Sequence, residues 1–162
     1  MVIAMMSWLL AIPLLGIATG LRSLTPMAVL CWFAYLGYLP VGGTWAGWTT
    51  RLWVVLVFTL LAAGELAADK TDWIPDRIAP GPLLARLVLG GLAGSIAATA
   101  MNGPGIEGVV LGVVGAALGA FCGFMIRRDL AQKFECGDWP VAFAEDLFAI
   151  ILAAFSLHVI TS

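Results

Sequence analysis

Six apolar runs, each near the length of one bilayer crossing, constrain this chain more than any other feature. They fall at about 3–20, 24–40, 52–68, 83–101, 106–126 and 141–160. A helix needs roughly 20 apolar residues to cross a hydrocarbon core. Charged residues make up 11% of the chain and the mean hydropathy is +1.02. A soluble domain carries about 25% charged residues, so a water-facing surface cannot be built from this composition. The expectation is an all-α polytopic membrane protein of about six helices in one integral domain over 1–162. The cell (inner) membrane is its expected location, with the lipid bilayer as its first partner.

The charges fix an orientation. Loops one, three and five hold Arg22, Lys70, Arg77, Arg86, Arg127, Arg128 and Lys133, seven of the eight basic residues. Arg51 and Glu107 alone fall in loops two and four. The positive-inside rule makes the odd loops cytoplasmic, so both termini are expected on the periplasmic or extracellular side. No Lys or Arg precedes the first apolar run. A secretory signal needs a positive n-region, so that run is expected to stay as a helix. Trp8, Trp45, Trp48 and Trp53 suit the outer interface, and Trp73 and Trp139 the inner one. Ser23 and Thr25 suit an N-cap for the short second helix, with Pro26 in its first turn.

The halves 1–70 and 81–162 show a faint likeness. Leu9, Leu10, Ala11, Leu15, Gly16 and Gly20 align with Leu83, Leu84, Ala85, Leu89, Gly90 and Gly94. Three helices reverse the direction of the chain, so halves of three would be inverted repeats, a transporter trait. The fifth helix carries Gly108, Gly112, Gly115, Gly119 and Gly123 along one stripe. Between helices in lipid, small residues allow backbones to approach and gain dispersion contact. Gly16, Gly20, Gly90, Gly94, Gly112, Gly115 and Gly119 are therefore packing residues, within one chain or across a homo-oligomer.

Glu65 stands inside an apolar run, with Asp69 one turn later on the same face. Glu145 and Asp146 enter the first turns of the sixth helix, and Arg22, Arg127 and Arg128 fall at similar depth. Ionisable groups within spans are costly, so they pair or line a water-filled path. Three readings follow. An Arg–carboxylate network can lock the helices. The four carboxylates Glu65, Asp69, Glu145 and Asp146 can form a site for a proton or a cation, a metal ion included. Arg22, Arg127 and Arg128 can hold a lipid or phosphate anion.

Other chemistry is not signalled. His158 is the only histidine and lies in an apolar stretch, where an interfacial role suffices. Cys31 and Cys122 sit in apolar runs and Cys136 in a polar loop, without metal spacing. No nucleophile–base set or phosphate loop is present, and no cofactor is expected. The net charge of −2 gives no footprint for nucleic acid.

Three segments resemble a known family. Gly20-Leu21-Arg22-Ser23-Leu24-Thr25-Pro26, then Glu65-Leu66-Ala67-Ala68-Asp69-Lys70, then the Glu145-Asp146-Leu147 step are similar to DUF4126. That is a bacterial family of small polytopic membrane proteins defined by a domain of unknown function. In the family pattern Ile-Pro closely follows the Asp-Lys pair; here Thr71-Asp72-Trp73 intervenes before Ile74-Pro75. The resemblance implies a compact helical membrane protein and supplies no catalytic residues. The expected function is a small transporter or channel-like protein moving a cation or a proton-coupled solute through a carboxylate-lined cytoplasmic-side site. The alternatives are a non-transporting scaffold or assembly factor, or an intramembrane enzyme acting on lipid phosphates.

Overall fold

The computed structural model describes residues 2–68, 80–133 and 139–161. Helices α1 (Val2–Leu21), α2 (Thr25–Tyr35), α3 (Leu52–Ala68), α4 (Pro80–Ala100), α5 (Gly105–Lys133) and α6 (Trp139–Thr161) follow in order, with a 3-10 helix at Trp45–Thr50 before α3. The described residues contain no strand. Among the described residues, three helices are long and apolar enough to cross a membrane: Pro80–Ala100, Gly105–Ile126 within α5, and Phe143–Thr161 within α6.

The bundle is organised around α1, which packs on α4, α5, α6 and α2. Ile12, Leu15 and Ala18 of α1 meet Met27 and Leu30 of α2, Ala93, Ile96 and Ala97 of α4, and Ala153 and Leu157 of α6. All ten of these side chains are 0% exposed, so water and lipid are both excluded from this seam. Hydroxyls inside it return bonds to their own helices, as Thr19 Oγ1 does to the Leu15 carbonyl and Ser156 Oγ to that of Leu152. That back-bonding satisfies a polar group without a partner helix.

The glycine stripe of α5 is a two-sided seam. A Cβ on Gly94 would strike the Gly108 carbonyl, and one on Gly112 the Gly90 carbonyl. On the other side, a Cβ on Gly20 would strike the Ala116 carbonyl, and one on Gly119 the Ile17 carbonyl. Backbone thus lies directly against backbone on both flanks of α5, as small residues permit in lipid. The order of these contacts makes α5 parallel to α1 and antiparallel to α4.

Two helices end where the chain turns left-handed. Gly37 has φ +81°, and the Gly37 and Tyr38 amides bond back to the Ala34 and Phe33 carbonyls. This Schellman closure stops α2 at Tyr35, five residues short of the apolar run 24–40. Asn102, at φ 54°, ends α4 the same way, with the Gly103 amide on the Ala98 carbonyl. At about 1.5 Å per residue α2 is only about 16 Å long, half of a bilayer core. The chain after it folds back into the bundle: Leu39, Val41, Ala46 and Thr49 are all buried. Trp45 donates Nε1–H to Thr99 Oγ1 at 3.1 Å, tying this segment to the far end of α4.

Candidate functional site

The α1–α2 turn is set back from the ends of its neighbours. Gly20 lies against Ala116, Gly119 and Ala120, and α5 continues thirteen residues past Ala120 to Lys133, about 20 Å further. Arg86 is six residues into α4 and Asp146 seven into α6, about 9–10 Å from where those helices begin. Polar side chains from four helices and the turn converge at this level.

Arg22, the first residue after α1, is 1% exposed and forms an ion pair with Asp146 of α6. A guanidinium this deep is tolerated only with a charged partner, since an unpaired buried charge costs several kcal/mol. Glu65 of α3 reaches the next two residues of the turn. Its Oε1 accepts the Ser23 amide and its Oε2 the Leu24 amide, both at 2.9 Å. Leu24 is the N-cap of α2 and no side chain of the turn caps the helix. The cap expected from Ser23 or Thr25 is therefore supplied across the bundle by a carboxylate. The negative charge sits where the α2 dipole favours it.

Arg86 of α4 is 6% exposed and donates Nε–H to Ser23 Oγ at 3.4 Å. The loop-by-loop charge count groups this residue with loop three. The readable signal was Pro80 with Pro82, which suit the first turn of a helix and move its start upstream of 83. Thr25, the first residue of α2, is 5% exposed, and its Oγ1 has no hydrogen-bond partner among the described residues. Glu145 is half-buried beside Asp146.

Of the expected site residues, the fold brings Arg22, Glu65 and Asp146 together, with Glu145 adjacent in sequence to Asp146. Arg128 is exposed on α5. Asp69 and the side chain of Arg127 lie outside the described residues, as do the loop containing Trp73 and Cys136. Among the described residues no three His, Cys, Asp or Glu side chains group closely enough to hold a metal ion. His158 is exposed near the C-terminal end of α6, and Cys122 is exposed on α5.

No curated protein and no solved structure matches the chain significantly. The sequence model of DUF4126, a domain of unknown function, matches residues 9–160. With all but the ends of the chain matched, this protein belongs to the DUF4126 family.

Proposed function

We propose that the protein is a small transporter or channel-like membrane protein whose substrate path opens from the cytoplasmic side onto Arg22, Glu65, Arg86, Glu145 and Asp146. One observation carries this reading: Arg22 and Arg86, each at least nine-tenths buried, stand with acids of α3 and α6 at one level of a bundle in which, among the described residues, no other charged side chain is fully buried. Charges at such depth are functional by default in membrane proteins. Glu65 already faces two amides and Asp146 already faces Arg22. Both are poorly placed to cage a cation, which favours a proton-coupled solute over a metal ion.

The membrane arrangement belongs to the same proposal. All six helices lie in the bilayer, with α2 and the chain after it forming an ascending leg and α3 the descending one. The parallel α1 and α5 with the antiparallel α4 support alternating crossings, and the basic loops place both termini outside. In that arrangement α1–α3 and α4–α6 would be inverted halves, and Gly16/Gly20 and Gly90/Gly94 dock alike on α5.

The test is flux into proteoliposomes carrying an internal pH-sensitive dye, wild type beside Glu65→Gln. The proposal expects solute-driven proton movement with wild type and its loss in the variant at equal insertion. Equal movement in both refutes it. A second reading, a scaffold in which these bonds only lock helices, is favoured by the cap that Glu65 places on α2. It predicts no flux and a lowered melting temperature in the variant.

A further inference from the structure

The glycine stripe of α5 is occupied within the chain, by the backbones of α4 and α1. The opposite face of α5 carries a second stripe at helical spacing. Glu107, Val110, Val114, Leu118, Phe121 and Met125 are all exposed there. α3 has a comparable face in Trp53, Leu56, Val57 and Leu60, all exposed, while Val54, Val55 and Ala62 turn inward. α3 packs mainly on α2 and the 3-10 helix, and α5 on α1 and α4. With α1 and α2 between them, the two faces form opposite flanks of the bundle.

Lipid tails cover an apolar stripe as well as a helix does, so the stripes alone name no occupant. The charges at their heads do. Arg51 immediately precedes α3, and Glu107 lies in the first turn of α5. Both are exposed, and neither has an ion-pair partner among the described residues. Among the described residues they are the only Asp, Glu, Lys or Arg on this half of the bundle. Glu65, near the end of α3, bonds the Ser23 amide just past α1, and Gly119 of α5 faces Ile17 and Gly20 near the end of α1. α3 and α5 therefore run in the same direction. Arg51 stands fourteen residues before Glu65 and Glu107 twelve before Gly119, about 21 and 18 Å back along their helices. Opposite charges thus stand at one height, on opposite flanks, heading parallel helices.

Copies inserted alike in one bilayer are related by rotation about the membrane normal, which keeps every residue at its own height. The α3 flank of one copy then meets the α5 flank of the next with Arg51 level with Glu107. We infer that the chain assembles head to tail through these flanks, Arg51 of each copy pairing with Glu107 of its neighbour, into a closed ring larger than a dimer. A contact between two different flanks is heterologous, and it closes where the rotation divides the circle. The stripes supply the contact area, and the charge pair selects flank and register. The inference needs the bundle to lie in a bilayer; it does not depend on transport or on which end faces the cytoplasm.

The test joins the two flanks chemically. Arg51→Cys and Glu107→Cys are placed in one chain with Cys122→Ala and Cys136→Ala, and native membranes are treated with a short bis-maleimide. The inference expects a ladder of covalent species that passes the dimer. It expects monomer only from either cysteine alone, and dimer when the two single-cysteine chains are co-expressed. Linking by Arg51→Cys alone, or a ladder that stops at the dimer, overturns it. The second measurement is sedimentation in neutral detergent. Arg51→Glu or Glu107→Arg alone places like charges at every contact and should weaken self-association about tenfold or more. The double reversal should restore it. Wild type that sediments as a monomer, single reversals without effect, or a double reversal as weak as the singles overturns the ring.

Discussion

Adding one methyl group at Gly112 should do more damage than at almost any other glycine. Gly112 is where three helices meet. Its own Cβ would strike the Gly90 carbonyl oxygen, reach the Gly90 carbonyl carbon at 2.9 Å and the Gly94 Cα at 3.2 Å, all backbone of α4. On the α1 side its carbonyl stands only 2.5 Å from where a Cβ on Gly16 would sit. No flexible side chain can yield, so α4 and α5 must part, and the displaced α5 presses on α1. Overpacking a close seam costs about 1–3 kcal/mol. Parting two seams at once puts Gly112→Ala at the upper end, about 3 kcal/mol. Gly64→Ala in α3 is the control, because nothing lies within 4 Å of the added Cβ. Alanine is also the better helix former, by up to about 1 kcal/mol. Reversible unfolding in mixed micelles, with helicity followed by circular dichroism, compares the two. The reasoning is refuted if Gly112→Ala unfolds within experimental error of wild type or no lower than Gly64→Ala.

Further expectations concern the site, the thiols and the orientation. Glu65→Ala leaves two amides of the α2 start without their acceptor and should cost about 3–6 kcal/mol in the same unfolding assay, from about 1.5–3 kcal/mol per lost charge-assisted bond. Cys31 is 0% exposed between α2 and α3, packed with Val54 and Val55, so a thiol-reactive fluorophore should reach it only as the protein melts, read in a Cys122→Ala, Cys136→Ala background. Gly43 has open space around it, so Gly43→Cys should label with an impermeant maleimide in intact cells, whereas Arg128→Cys should label only after lysis; the reverse pattern inverts the orientation.

The helices themselves were legible because apolar length is a one-dimensional property. The run 52–68 became α3 with those bounds, and 106–126 sits inside α5. The five-residue overshoot at α2 has a local cause, since Gly37 and Pro40 break a helix without breaking hydrophobicity. The stripe Gly108–Gly119 could be read as a packing face, but not that two of its members face α4 and two face α1. The site was half legible. An acid in an apolar run announces itself, so Glu65 and Asp146 stood out. Its role did not, because Glu65 caps a helix forty residues away in sequence, and a cap across a bundle leaves no spacing rule. Arg86 counts with the charges of loop three although it falls at the edge of the apolar run 83–101, and α4, starting at Pro80, carries it into the bundle.

The central claim is that the buried charges serve passage of a solute and do more than hold helices together. The most direct test neutralises both partners of the Arg22–Asp146 pair at once, as Arg22→Gln with Asp146→Asn. Removing one partner strands a buried charge, at about 3–5 kcal/mol, while replacing both with neutral groups of similar volume is far milder. The double variant should therefore fold, insert and melt close to wild type. In the proteoliposome flux assay the account predicts that it moves no solute while wild type does. Flux retained in the double variant would show that the pair is only a lock, and would contradict the account.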